Sequence, residues 1–165
     1  MKSVILSLGS NIGDRKKYLK QAVESLISSN KLTNIKLSSI YETDPVDFIN
    51  QPKFLNLCIL AKTELKANDL MQLCKAIEID LGRKKRAKWH EREIDIDIIF
   101  YNNEIIDETD LVIPHPRMHL RKFVLEPIFE LTPEFVHPVY NLNIEQLLKK
   151  CPDESQVLIF DKLEL

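Results

Sequence analysis

Apolar residues crowd the segment Val4-Ile5-Leu6-Ser7-Leu8, which predicts a buried strand, and Gly9-Ser10-Asn11-Ile12-Gly13 ends it with residues that tolerate turns. From Asp14 the period changes. Tyr18, Leu19, Ala22, Val23, Leu26 and Ile27 recur at helical spacing, and the polar Ser28-Ser29-Asn30 marks the stop. Ile35, Leu37 and Tyr41 then alternate with polar or small residues, as in a strand. Residues 43–52 carry two prolines and no sustained period, a long loop, before residues 54–63 return to strand. Leu70, Met71, Cys74, Ile77 and Leu81 write a second amphipathic helix, with Gly82 at a C-cap position and a highly charged loop over 83–92. Ile94, Ile96, Ile98 and Phe100 alternate with Asp95 and Asp97, predicting a strand with one apolar face and a carboxylate pair on the other.

The order β-α-β-β-α-β predicts an α+β fold: a ferredoxin-like βαββαβ antiparallel sheet with both helices on one face. The remaining third, from Tyr101, is punctuated by proline and predicts a C-terminal extension that wraps the core with short helices near 121–131 and 144–150. At 165 residues and 44% hydrophobic composition, residues 1–165 suit one domain whose core needs no metal or disulfide staple.

Composition narrows the function by exclusion. A formal net charge of -2 argues against a general nucleic-acid binder, while local basic clusters can still hold a small polyanion. Cys58, Cys74 and Cys151 are odd in number and widely spaced, so neither a disulfide framework nor a zinc site is indicated, and a reduced, cytoplasmic location is expected. The first apolar run is far shorter than a signal-peptide core or a membrane span, so no membrane partner is expected.

Chemistry concentrates around Asp95-Ile96-Asp97. Two positions apart on a strand, both carboxylates project from the same face with Cα atoms roughly 6.5 Å apart, a pair able to hold hard cations such as Mg²⁺. Taken alone, such a pair also suits a solvated sheet face. Immediately before it lie Arg83, Lys84, Lys85, Arg86, Lys88 and Arg92. Cations that clamp phosphate beside carboxylates that hold metal is the division of labour that phosphoryl transfer requires. A second basic stretch runs from His115 through Arg117, His119, Arg121 and Lys122 to Phe123, with His115 and Arg121 its best phosphate candidates. Phe54 and Asn56 share one strand face, where an aromatic surface beside an amide suits a flat heterocycle.

Together these residues resemble hydroxymethyldihydropterin pyrophosphokinase over residues 4–138. The resemblance rests on the G-S-N-x-G turn at Gly9 to Gly13, Tyr41-Glu42-Thr43, Gln51-Pro52-Lys53-Phe54-Leu55-Asn56, and Glu78 with Gly82-Arg83. Its signature region is Lys88-Trp89-His90-Glu91-Arg92-Glu93-Ile94-Asp95-Ile96-Asp97, and Pro114-His115-Pro116-Arg117-Met118 with Arg121 and Phe123 follows. His90 and Glu91 depart from the Gly or Ala and the Pro usual there.

The resemblance implies transfer of pyrophosphate from ATP to 6-hydroxymethyl-7,8-dihydropterin, giving the pterin diphosphate and AMP in folate synthesis. It implies two Mg²⁺ on Asp95 and Asp97, with Arg83 and Arg92 completing the catalytic set. Glu78, Arg83, Trp89, Arg92, Ile98, His115 and Arg121 would meet ATP. Phe54 and Phe123 would sandwich the pterin, with Asn56, Thr43, Pro45 and Val46 at its polar edge. The expected partners are these two small molecules, with the protein a monomer.

Two rivals stand beside this reading. A nucleotidyltransferase would share Gly9-Ser10 and the paired carboxylates but place them much closer in sequence, and a regulatory module of the same fold would need no metal or nucleotide.

Overall fold

The computed structural model describes residues 1–45, 50–88 and 90–164. In chain order the elements are β1 (Lys2–Ser10), α1 (Arg15–Ser28), β2 (Leu32–Leu37), β3 (Ile40–Thr43), β4 (Phe54–Thr63), α2 (Ala67–Asp80) and β5 (Asp95–Tyr101). A hairpin of β6 (Ile106–Glu108) and β7 (Leu111–Ile113) follows, then a 3-10 turn (Met118–Leu120), α3 (Lys122–Leu131), α4 (Ile144–Lys150) and β8 (Val157–Asp161).

The main sheet runs β5-β1-β4-β3-β8, with β2 also paired to β4, and every pairing is antiparallel. With β2 and β3 sharing one place, this is the strand order expected of the ferredoxin-like core. Three features differ from the sequence reading. The single strand expected over 35–41 is broken at Ser38-Ser39, where the Glu130 carboxylate accepts from the Ser39 amide at 3.0 and 3.1 Å and also from the Ser39 and Tyr41 hydroxyls. The C-terminal third, expected to be helical, also adds β8 to the sheet edge and supplies the β6–β7 hairpin.

The third difference lies within β5. Ile5 pairs with Phe100 but Leu6 pairs with Ile98, so Ile99 is an extra residue in the ladder. The bulge turns Phe100 away from the face shared by Ile96 and Ile98, and places Tyr101 there instead. Asp95 and Asp97 precede the bulge and keep the face that alternation assigns them.

That face divides the interior in two. Val4, Leu6 and Leu8 pack with Leu57 and Ile59 against Leu19, Ala22, Val23 and Leu26 of α1 and Leu70, Cys74 and Ile77 of α2. Each fully buried Leu or Val contributes about 1.5–3 kcal/mol. α1 starts at an Asp14 side chain that accepts from the Lys17 amide. α2 stops where Gly82, at φ +87, lets the Gly82 and Arg83 amides turn back to the Ile79 and Glu78 carbonyls. On the opposite face Ile5, Cys58, Ile99 and Phe100 pack against Met118, Val124, Leu125 and Ile128, with Ile144 and Leu147 behind. Toward one end of β1, β4 and β5 this second core gives way to polar groups.

Candidate active site

The sheet register builds the site floor. Asp97 pairs with Ser7, and Asp95 with Gly9, which pairs in turn with Asn56. A glycine is required at position 9 because a Cβ there would lie 2.8 Å from Asn56 Oδ1. Asn56 is nearly fully buried, and its amide donates to Thr43 Oγ1 at 2.9 Å, so its orientation is fixed by the neighbouring strand.

Two pockets meet on this floor. One is lined by Phe54, Phe123, Asn56, Thr43, Gly9 and Gln51, a half-aromatic slot with a polar edge. The other is lined by Arg83, Lys84, Lys88, His115, Arg117 and neighbours. Arg92, Asp95, Asp97 and Arg121 line both, so a flat ligand in the first and a polyanion in the second would face each other across the carboxylates. Arg121 also sits with its guanidinium carbon 5.7 Å from the Phe123 ring centroid.

Charge around Asp95 is tightly interlocked. Arg83 Nη1 donates to Asp95 Oδ1 at 2.8 Å and Arg92 Nη1 to Asp95 Oδ2 at 2.6 Å. Arg83 is also ion-paired with Glu78, whose Oε1 accepts from the Ile96 amide at 2.6 Å. The turn that ends α2 brings Glu78 and Arg83 together, so the helix stop and the charge pair are one feature. Burial, then the charge of Asp95, pushes the Glu78 carboxyl up to about 7. Asp97 is pushed the same way by burial, with Asp95 and Glu78 adding repulsion. Carboxylates this crowded gain from a cation.

Among the described residues no three His, Cys, Asp or Glu side chains converge as a self-sufficient metal site. Magnesium does not need one: it binds through one or two carboxylates, and waters and phosphate oxygens complete its octahedron. The donor set of Asp95 and Asp97 beside a basic pocket fits that habit.

His115 is suited to an anion as a neutral donor. Its Nδ1 accepts from the Arg117 amide at 3.2 Å, which leaves Nε2 as the protonated nitrogen. Burial, then the charge of Arg121, holds its pKa down at about 4. His119, the other histidine of the stretch, packs instead on Tyr140 with ring centroids 4.7 Å apart.

The structure separates members of the basic loop. Arg86 makes a two-pronged pair with the buried Glu93, at 2.9 and 2.8 Å, and the Lys84 amide joins at 3.3 Å. Arg86 therefore braces the loop, and this pairing holds the Glu93 carboxyl down near 2. Ile98 lines a third cleft with Met71, Cys74, Glu78, Leu111 and Val112, next to Arg83 and His115. The β6–β7 residues of that cleft have no sequence signal beyond a short apolar run. Asn11, from the G-S-N-x-G turn, is buried and joins two loops: its Nδ2 donates to Gln51 Oε1 at 2.9 Å and its Oδ1 accepts from the Arg92 amide at 2.9 Å. Pro45 is not among the residues lining the aromatic slot. Val46 and Trp89, named from the resemblance, lie outside the described residues.

Residues 5–133 match the family model described as 7,8-dihydro-6-hydroxymethylpterin-pyrophosphokinase (HPPK). The chain is 47% identical over 126 residues to the 2-amino-4-hydroxy-6-hydroxymethyldihydropteridine pyrophosphokinase of Bacillus subtilis (strain 168), covering 76% of this chain and 75% of that protein. It is 40% identical over 146 residues to the protein of the same name from Aquifex aeolicus (strain VF5), covering 88% and 90%. Among solved structures, an HPPK-DHPS chain in complex with substrates superposes with a TM-score of 0.72 at 15% identity, covering 90% of this chain and 43% of that one. Wild-type Plasmodium falciparum HPPK-DHPS gives 0.69 at 18%, covering 90% and 44%. The chain thus spans under half of those crystallised chains, and at such identities the likeness speaks for the fold.

Proposed function

The chain belongs to the 7,8-dihydro-6-hydroxymethylpterin-pyrophosphokinase family, and from that premise we infer that its paired pockets move a pyrophosphoryl group from ATP to 6-hydroxymethyl-7,8-dihydropterin. The hydroxymethyl oxygen forms a bond to the β-phosphorus, the bond from that phosphorus to the α,β-bridging oxygen breaks, and AMP leaves with that oxygen. The hydroxyl proton is lost to solvent.

The observation that carries this reading is the junction: one slot shaped for a flat ring and one basic pocket share Arg92, Asp95, Asp97 and Arg121. Phe54 and Phe123 offer the ring its two faces, and Asn56 and Thr43 its polar edge. Two Mg²⁺ held by Asp95 and Asp97 would supply charge neutralisation along the triphosphate. Arg83 and Arg92 hold Asp95 before substrate arrives, so phosphate oxygens would draw both guanidiniums toward the transferring group. Arg121 stands between the two pockets, where charge develops in a loose transition state, and His115 would donate from Nε2 to a phosphate oxygen. Ile98, with Leu111 and Val112, offers the adenine an apolar wall beside Glu78. No helix among the described residues is long and apolar enough to cross a membrane. Our reading has a cytoplasmic monomer with these two small molecules as its partners.

Phosphorus NMR of a single turnover tests the reaction. AMP should appear in step with a diphosphorylated pterin, whereas stoichiometric ADP would make this an ordinary kinase, and pyrophosphate release with adenylated pterin a nucleotidyltransferase.

A further inference from the structure

The first turn of α3 is poorly suited to start a helix. Its N-cap is Arg121 with Lys122 next, it holds no acidic residue, and the N-cap side chain makes no capping hydrogen bond. Cations at that end oppose the helix macrodipole, and an uncapped turn leaves main-chain amides without partners. Yet this is the turn that presents Arg121 and Phe123 to the ring slot. The missing carboxylate comes from 31 positions downstream, where the half-buried Asp153 accepts from the Lys122 amide through Oδ2 at 2.9 Å. Its Oδ1 accepts from the Ser155 amide at 2.9 Å, which fixes the carboxylate plane. Burial works against the charge, but the hydrogen bonds from Ser155 and Lys122 hold the Asp153 carboxyl below its usual range. An anion thus stands at the positive end of α3, and a local rule broken at the site is offset from elsewhere in the chain.

The same segment also reaches the other side of the slot. Just past Ser155, Val157 pairs with Thr43 of β3, and Thr43 Oγ1 holds the Asn56 amide. Farther on, two residues of α1 secure β8: Lys16 is ion-paired with Asp161, and the Arg15 guanidinium carbon lies 5.8 Å from the Phe160 ring centroid. Residues 153–157 therefore tie the helix that carries Phe123 to the strand that orients Asn56. The match to the family model ends at residue 133, so this tie lies outside it.

We propose that Asp153 is a positioning residue of the ring slot: it caps α3 from the C-terminal segment and so holds Phe123 and Arg121 in place for the pterin, which rests on the function inferred above. Without the carboxylate the first turn of α3 frays, and Phe123 and Arg121 spend part of their time out of the slot. Apparent affinity then falls by the fraction of molecules still competent.

Calorimetry with 6-hydroxymethylpterin, and separately with Mg²⁺ and α,β-methylene ATP, tests this beside steady-state kinetics and melting temperature. Asp153→Ala should weaken pterin binding and lower kcat, each roughly fivefold, the scale of one lost helix cap. Nucleotide affinity should move by less than about twofold, because Arg83, Arg92 and His115 lie outside α3. Adding Lys122→Glu puts a carboxylate back in the first turn and should restore pterin affinity to within about twofold of the wild type. That recovery separates capping of α3 from mere anchoring of the C-terminal segment, which an acid on α3 cannot replace. Should Asp153→Ala fail to fold, Asp153→Asn keeps one accepting oxygen and should still weaken pterin binding by about twofold or more, with nucleotide affinity kept. A lower melting temperature with pterin affinity and kcat unchanged, or a double variant with no recovery, overturns the proposal and spares the inferred function. Failure of the wild type to bind pterin overturns both.

Discussion

Replacing Gly9 by alanine should injure the ring slot specifically. The new Cβ would stand 2.8 Å from Asn56 Oδ1 and 3.8 Å from Phe54 Cδ1. The first separation is well inside contact distance, and Asn56 cannot simply rotate away, because its amide is held by Thr43 Oγ1 and nearly all of the side chain is buried. Overpacking of this kind costs about 1–3 kcal/mol. For a domain of this size that corresponds to a fall in Tm of roughly 2–12 °C. Because the displaced group is the one we assign to the pterin edge, pterin affinity should fall about tenfold, the equivalent of one hydrogen bond. Affinity for the ATP analogue should move by less than about twofold, on the same hydrogen-bond scale. Differential scanning fluorimetry and calorimetry read both effects. The double variant Gly9→Ala/Asn56→Ala supplies the control: with Oδ1 gone the clash disappears, so it should melt no lower than Asn56→Ala alone. A Gly9→Ala protein with unchanged Tm and unchanged pterin affinity would refute the reasoning.

Other outcomes follow from the same geometry. Asp97→Asn should lower turnover by orders of magnitude yet stabilise the ligand-free protein at high pH. The folded carboxyl is raised to about 8, so the folded state binds more protons than the unfolded chain between about pH 4 and 8, and wild-type stability falls as pH rises through that window. The variant lacks that loss, so its advantage in Tm should be present at pH 8 and vanish near pH 4; an equal gap at both would contradict the assignment. Phe54→Ala should weaken pterin binding by about 1 kcal/mol beyond lost area, with nucleotide affinity kept; calorimetry showing unchanged pterin affinity in a folded variant would move the slot elsewhere. Glu130→Ala should strip the β2–β3 break of its acceptor. Since that carboxylate is solvent-exposed, the loss should be about 1–2 kcal/mol, seen as a few degrees of Tm.

What the sequence revealed and what it hid divide along the reach of each interaction. Strand alternation is local, so it puts Asp95 and Asp97 on one face of their strand and Phe54 and Asn56 together on one face of theirs. The two amphipathic helices and Gly82 at the end of α2 were legible for the same reason. Asn11 meets partners 40 and 81 positions away, and Ser39 meets Glu130 91 positions away, and no local pattern records such pairs. β8 carries only a short apolar run, Val157-Leu158-Ile159-Phe160, and its place at the sheet edge comes from pairing with the distant β3. The doubling in β5 left a trace, since alternation gives way to the continuous Ile98-Ile99-Phe100-Tyr101, but periodicity alone reads that run as more strand. Arg86 is indistinguishable in sequence from its basic neighbours, because a charge run does not announce that the buried Glu93 claims one member.

The doubled residue at Ile99 makes the two halves of β5 modular. Upstream, Asp95 and Asp97 take their orientation from pairing with Gly9 and Ser7; downstream, Phe100 and Tyr101 take theirs from Ile5 and Val4. A strand in strict alternation would transmit any one-residue insertion or deletion along its length, inverting every side chain beyond it. Here the bulge acts as an expansion joint. Asp95 and Asp97 therefore stay in phase with Gly9 and Ser7 while Phe100 and Tyr101 follow their own register with Ile5 and Val4. The same joint marks the cut for an engineer: residues 95–98 with their β1 partners form a portable carboxylate cassette, and the segment that follows can be exchanged to reshape the apolar wall without re-aiming either aspartate.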